Sequence, residues 1–267
     1  MVISFIGAGN VGWHLAQALE GAGHIISEVY SRDPQNARLL VSQLYDTHIQ
    51  PDLNFAESEA QIIILAVPEQ ALESVLERAV LPPRVMLVNT SGSVSLHKLR
   101  QLTEIYSDVP VRVGVMYPLQ TFTKGDEIDY ANIPFCIEAA DEEMEETLVE
   151  VAQTISDVVY RLDSDERRIL HIAATIANNF SNHLYAVAHD LLGKYHIEFD
   201  ILKPLLEQTI KKSFAIGDPS KGQTGLAVRG DWQTIAQHLK LLQEINPDWA
   251  NLYRFMSDSI RSKYYLD

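Results

Sequence analysis

The chain reads as an α/β protein: a doubly wound, mainly parallel sheet followed by a smaller all-helical domain. Three observations predict this. A short apolar strand, Val2 to Ile6, runs straight into Gly7-Ala8-Gly9-Asn10-Val11-Gly12 and then into a helical pattern. Strand and helix patterns alternate from there to about residue 162. Beyond Leu162 only helical periodicity remains, which divides the chain into 1–162 and 163–267.

The opening G-x-G-x-x-G gives each glycine a physical task. Gly7 permits a tight turn, Gly9 lets backbone approach a pyrophosphate, and Gly12 lets the helix close on the strand. Gly7, Ala8, Gly9, Asn10, Val11 and Gly12 are therefore candidate dinucleotide contacts, aided by the free N–H groups and dipole of the helix start. The alternative is a glycine turn in some other α/β protein; the strand–turn–helix context argues against it.

Gly21-Ala22-Gly23 stops the first helix, and His24 to Tyr30 reads as the second strand. An NAD-binding unit usually places a carboxylate next, to bond the ribose 2′-OH; this chain has Ser31-Arg32. A hydroxyl and a guanidinium donate to a 2′-phosphate that a carboxylate would repel. NADP is therefore the expected cofactor in a Rossmann-type domain. The alternative is NAD, with Asp33 on the 2′-OH.

Pro34 to Leu44 looks helical, and Asp46 to Glu59 holds at most a short strand. Gln61 to Val67 is a continuous apolar run, as in a strand buried on both faces. Glu69 to Val80 is helical, and Val85 to Val88 is another buried strand. Ligands of open parallel sheets lie beyond the carboxyl ends of strands. Val67, Pro68, Asn89, Thr90 and Ser91 should thus lie beside the nicotinamide half. Val111 to Met116 is a further strand. Ile133 to Ile137 and Val158 to Arg161 are late strands around an acidic helix, Asp141 to Ile155, whose carboxylates suit a solvated face rather than a metal.

In the helical part, Asp163 caps a long helix running toward Leu192. Ile172, Ile176, Phe180, Leu184, Val187 and Leu191 share one face at α-helical steps; His171, Thr175, Asn178, Asn182, Tyr185 and His189 share the other. No Asp, Glu, Lys or Arg occurs from His171 to His189. Uncharged hydrogen-bonding residues suit a covered face or a cleft, with solvent as the alternative. Asn179 and His183 flank that stripe, and the histidine spacing makes no zinc site. Asp200 to Phe214 is another helix, and Gly217 to Asp231 a loop crowded with Lys221, Gln223, Thr224, Arg229 and Asp231. Asp231 can cap the next helix. Arg229 can clamp a substrate carboxylate or be an ordinary surface arginine.

Apolar residues make up 46% of the chain, enough for a sizeable core, and the formal charge is −15 with no basic run. That excludes nucleic acid and anionic membranes as main partners. The one cysteine, Cys136, sits in an apolar run and reads as a buried thiol in a reducing compartment. With no basic leader and no spanning apolar stretch, a soluble cytoplasmic protein is expected.

Gly7 to Gly12 with Ser31-Arg32, Ala66-Val67-Pro68 and a helical C-terminal half resemble the NADP-dependent reductases related to pyrroline-carboxylate reductase and the hydroxyacid dehydrogenases. Tyr117-Pro118-Leu119-Gln120-Thr121-Phe122, Asn178-Asn179-Phe180 and Gln223-Thr224-Gly225 with Arg229-Gly230-Asp231 are similar to a narrower bacterial group of oxidoreductases of unassigned substrate. That group pairs a Rossmann-like domain with a helical domain of unknown function; Tyr117 stands where it often has His. The resemblance implies NADP, a homodimer through the helical domain, and hydride transfer to a small carbonyl or imine substrate. Candidate catalytic groups are His171, His183 and Tyr117 as proton donors, with Asn178 and Asn179 polarising the substrate. Gln120, Thr121, Gln223, Thr224 and Arg229 are candidate substrate contacts. The long helix has no lysine to match the general acid of the related dehydrogenases, which leaves a non-catalytic dinucleotide sensor or scaffold as the competing reading.

Overall fold

A computed structural model describes residues 1–264. The chain divides into two compact bodies, residues 1–177 and the residues from 178 onward.

In the first body the elements run β1 (Val2–Ile6), α1 (Asn10–Gly21), β2 (Ile25–Tyr30), α2 (Pro34–Val41), β3 (His48–Ile49), β4 (Ile62–Leu65), α3 (Glu69–Leu76) and β5 (Met86–Asn89). There follow α4 (Leu96–Tyr106), β6 (Arg112–Pro118), β7 (Phe135–Ala139), α5 (Glu142–Gln153), β8 (Val159–Arg161) and α6 (Ser164–Ala174). The eight strands form one sheet in the order β3-β2-β1-β4-β5-β6-β7-β8. All neighbours are parallel except β6 and β7, which pair antiparallel. The apolar run of β4, Ile62 to Leu65, is buried at every position because helices cover both sheet faces. Two apolar clusters lie on those faces, one around Phe5, Leu15 and Phe135, the other around Ile6, Leu72 and Leu99. Each fully buried Leu, Ile or Phe contributes about 1.5–3 kcal/mol.

The strand order sets where a ligand can bind. From β1 the chain steps outward to β2 and β3, then returns to β4 on β1's other side. The carboxyl ends of β1 and β4 therefore flank a topological switch point, where the connections diverge and leave a crevice.

Sequence signals explain most boundaries. Asp33, Ser95 and Asp141 cap α2, α4 and α5 through their side-chain oxygens. Asp163 and Glu166 form a reciprocal capping box at α6. Helix α3 ends at Leu76, short of the expected Val80. Cys136 is buried in the middle strand of the β6-β7-β8 ribbon, where desolvation raises its thiol to about 11 and leaves it unreactive.

The expected long helix is present, but it is not uniform: α6 gives way to a π-helical stretch, Thr175–Phe180, and then to α7 (Ser181–Gly193). A π turn carries more residues than an α turn, so stripes drawn at steps of three and four do not persist through it. This corrects the alignment of His171 with His189 expected from the sequence. The second body continues with α8 (Lys203–Ile216), α9 (Leu226–Arg229), α10 (Trp232–Ile245) and α11 (Pro247–Tyr264). The expected loop 217–231 thus contains a helical turn, α9, closed by Gly230 in the left-handed region. Asp231 caps α10 by accepting from Thr234 N at 3.1 Å.

Candidate functional site

The glycine turn lies at the switch point, and its three glycines differ in what their missing side chains make room for. Gly7 has φ +113°, and a Cβ there would stand 2.3 Å from the Ala66 carbonyl oxygen. A Cβ on Gly12 would stand 2.2 Å from the Gly7 oxygen. Turn and helix thus approach β4 as closely as backbone allows. A Cβ on Gly9 would meet nothing within 4 Å, and its φ of −75° suits any residue. Neither packing nor conformation calls for glycine at that position; close approach by a bound phosphate does. Helix α1 has no side-chain cap and no acidic residue in its first turn, so the N–H groups beginning at Asn10 and Val11 keep their positive end.

Gly7, Ala8, Gly9, Ser31, Arg32, Val67 and Pro68 all line one cleft, of about 260 Å³. Three further polar residues line it that the sequence reading did not single out: Asn36, Ser74 and Arg78. Asp33 also reaches the cleft, but its carboxylate is engaged: Oδ1 accepts from Gln35 N at 3.0 Å and Oδ2 from Asn36 Nδ2 at 3.1 Å. Among the described residues the guanidinium groups of Arg32 and Arg78 have no hydrogen bond or ion pair. In a chain of net charge −15, two free guanidiniums on one cleft make it a local site for an anion. The residues present fit a phosphate-bearing dinucleotide. A bound nicotinamide cofactor would supply or accept hydride, with the glycine turn holding its pyrophosphate.

Asn89, Thr90 and Ser91 do not line this cleft. Asn89, the last residue of β5, and Thr90 after it are buried: Asn89 Oδ1 accepts from Ser91 N at 2.7 Å, and Thr90 Oγ1 donates to Leu65 O at 3.3 Å. They shape the loop that begins at Ser91.

That loop leads to a second cluster at the same edge of the sheet. The Tyr117 hydroxyl, at the end of β6, is hydrogen-bonded to His171 Nδ1 of α6 at 3.1 Å, their rings edge to face. Burial, and secondarily Cys136 beside it, raises the Tyr117 phenol above its ordinary value and keeps it protonated. Which atom donates follows the imidazole tautomer: with the ring hydrogen on Nε2, the phenol donates to Nδ1. Near by, Lys98 Nζ donates to Glu69 Oε1 at 2.8 Å and Ser93 Oγ to Glu69 Oε2 at 2.7 Å. These bonds, Lys98 first, hold the Glu69 carboxyl below the usual range, with His171 a smaller contributor.

The remaining predicted residues lie apart or exposed. Gln120 and Thr121 are exposed in the loop after β6, where Gln120 Oε1 accepts from Thr121 N at 2.8 Å. Asn178, Asn179 and His183 are exposed in the second body, the two asparagines in the π-helical stretch. Also in that body, Arg229 Nη1 donates to Thr224 O at 2.7 Å beside Gln223. No three His, Cys, Asp or Glu among the described residues come together as a metal group, and no helix there is long and apolar enough to cross a membrane.

Switch-point cleft, glycine turn and uncapped helix are those of a Rossmann-type dinucleotide-binding protein. A family model described as "NADP oxidoreductase coenzyme F420-dependent" matches residues 2–92, and one for a domain of unknown function, DUF2520, matches residues 133–260. The putative NADP oxidoreductase BF3122 from Bacteroides fragilis is 38% identical, with a TM-score of 0.87 and 98% of each chain covered. The chain belongs to the same family, oxidoreductases that pair an NAD(P)-binding domain with a DUF2520 domain. A 1-pyrroline-5-carboxylate reductase from Streptococcus pyogenes superimposes with a TM-score of 0.62 over 98% of each chain; at 12% identity this shows a shared fold. An NAD(P)+ glycerol-3-phosphate dehydrogenase of Prosthecochloris aestuarii is 26% identical over 135 residues, a match spanning 44% of this chain and 41% of that enzyme.

Proposed function

We propose that the protein transfers hydride between NADP(H) and a small carbonyl or imine compound, with the Tyr117–His171 pair supplying the proton. The observation that carries the NADP part is the cleft beside Gly9: Ser31 and Arg32 line it, Asp33 is used as a helix cap, and the Arg32 guanidinium has no protein partner among the described residues. A 2′-phosphate there gains charge-assisted hydrogen bonds that a 2′-hydroxyl does not. For the proton, Tyr117 and His171 form a hydrogen-bonded pair of acids at the carboxyl end of β6, two strands from β4. A positioned donor of this kind contributes about 10²–10⁴-fold to a transfer step. The reductase names among the relatives support the same class of chemistry.

The test is a screen of keto acids and cyclic imines for NADPH oxidation, run on wild type and Tyr117→Phe. Turnover in the wild type that is lost in the variant, with NADPH affinity intact, supports the reading. One feature favours a dinucleotide sensor instead: the helical run from Ser164 to Gly193 contains no lysine. NADPH binding with no turnover across the screen favours that alternative.

We also propose a homodimer through the helical part. Ile201, Leu205, Ile210 and Phe214 of α8 and the turn before it are 68%, 63%, 50% and 84% exposed, and α8 has no buried residue. A helix that leaves so much apolar surface in water is ordinarily covered by a partner. Light scattering that gives a monomer's mass at micromolar concentration would refute this.

A further inference from the structure

The Tyr117–His171 contact is made around a residue that has no side chain. A Cβ built on Gly92 would lie 2.7 Å from Tyr117 Cζ, 2.8 Å from Tyr117 Cε1 and 2.9 Å from His171 Nδ1. Gly92 lies outside the left-handed region, so glycine is not required there for backbone reasons. What it supplies is room, at the point where ring, imidazole and loop converge.

The surroundings cannot easily give way. His171 lies one helical turn after Arg167, whose side chain is 1% exposed and ion-paired with Glu138 of β7. Arg167 Nη2 also donates to Val94 O at 2.7 Å, two residues beyond Gly92. Ser164, at the start of α6, accepts from Leu96 N at 2.9 Å and donates to Glu138 at 2.8 Å. Helix α6 is thus tied to the loop just beyond Gly92. On the outer side, Ser93 is held by Glu69 at 2.7 Å and by Ser91 at 3.0 Å. Tyr117 is fixed by its place in β6, opposite Cys136.

We infer that Gly92 is a positioning residue for the proton-donating pair: only a residue without a side chain lets the Tyr117 hydroxyl rest on His171 Nδ1 while α6 stays clamped to the loop. The inference gives a use to the Gly in Ser91-Gly92-Ser93 and to the buried Arg167–Glu138 pair. It rests on the proposed role of Tyr117 and His171 for its importance to turnover, but not for its geometry.

The test therefore reads the contact itself. In full-length protein labelled with ¹⁵N-histidine, the His171 Nδ1 resonance, assigned with His171→Gln, reports whether Nδ1 accepts a hydrogen bond. Wild type, Tyr117→Phe and Gly92→Ala are compared. Gly92→Ala is expected to displace the resonance as Tyr117→Phe does, with NADPH affinity unchanged. In any substrate assay that the wild type supports, turnover falls by about 100-fold, the contribution of a positioned donor. Should Gly92→Ala fail to fold, the Tyr117→Ala/His171→Ala protein with and without Gly92→Ala replaces it. With both rings gone the added methyl finds room, so the two melt at the same temperature. A Gly92→Ala resonance at the wild-type position, or a triple variant that melts well below the double variant, overturns the inference. A displaced resonance in a protein with no turnover would leave the spacer standing and overturn the proton-donor role.

Discussion

Two places on one sheet edge are built in opposite ways. At the switch point between β1 and β4, backbone approaches backbone and the two guanidiniums are left free: Gly9 faces open space, and the side chains of Arg32 and Arg78 have no protein partner among the described residues. At the end of β6 the polar side chains engage one another, Tyr117 with His171, Glu69 with Lys98 and Ser93, Arg167 with Glu138 and Val94, and of the buried side-chain nitrogens and oxygens among the described residues only Arg167 Nε is left without a partner. The first arrangement suits a charged ligand, which brings its own acceptors. The second suits a proton donor, whose geometry must be set before the ligand arrives. Substitutions at the first place should change affinity, and at the second, rate.

The sharpest break of that contrast lies within the glycine turn. Gly7→Ala forces a Cβ onto the Ala66 carbonyl and strains a φ of +113°. It should destabilise the fold by about 3 kcal/mol or more, seen as a large fall in melting temperature. Gly9→Ala should melt as wild type does and bind NADPH at least about 10-fold more weakly. If the two behave alike, the assignment of separate tasks to these glycines fails.

Next in size, Tyr117→Phe should lower turnover by about 100-fold at unchanged NADPH affinity. A rise in the apparent Kd for NADPH in place of a rate effect would move Tyr117 to the cofactor side. Arg32→Ala should weaken NADPH by about 10- to 100-fold and leave NADH unchanged, the loss of one charge-assisted contact. Arg78→Ala should act in the same direction with smaller effect.

The pH dependence separates the two places further. Because burial raises the folded Tyr117 phenol above its ordinary pKa, the proton-bearing form persists beyond pH 10. Its contribution to stability is fully present below the unfolded value near 10 and is lost as pH rises through the higher folded value. Turnover should therefore hold its alkaline limb above about pH 10, and Tyr117→Phe should remove that limb.

Why one place was legible in the sequence and the other was not follows from range. The turn is local: strand, three glycines and helix lie within Val2 to Gly21, and Ser31-Arg32 comes directly after the next strand. Each constraint acts over a few residues, so pattern reveals it. Tyr117 and His171 are 54 residues apart, and their meeting depends on β6 pairing with β7 and on α6 returning over the same edge. Their residue types were noticed, but nothing local pairs them. Asn36, Ser74 and Arg78 reach the cleft from helices or just beyond them, where no motif marks an inward-facing polar residue. Gly92 ends the cluster Asn89 to Gly92, whose position beyond a strand end points to the nicotinamide half, with turn chemistry as the alternative; its spacing task appears only when the neighbours are placed. Helix α4, absent from the elements expected above, carries local signals of its own in the Ser95 cap and the buried Leu99 and Leu102. The π-helical stretch broke a register drawn at α-helical steps, since nothing in Thr175 to Phe180 announces the extra residue.

The most direct test of the central claim is a fluorescence titration of wild type and Arg32→Ala with NADPH and with NADH. A dinucleotide held at the glycine turn with its 2′-phosphate met by Ser31 and Arg32 predicts that wild type binds NADPH at least about 10-fold more tightly than NADH and that Arg32→Ala erases the difference. Equal affinities in the wild type, or no binding of either below millimolar concentration, would contradict it.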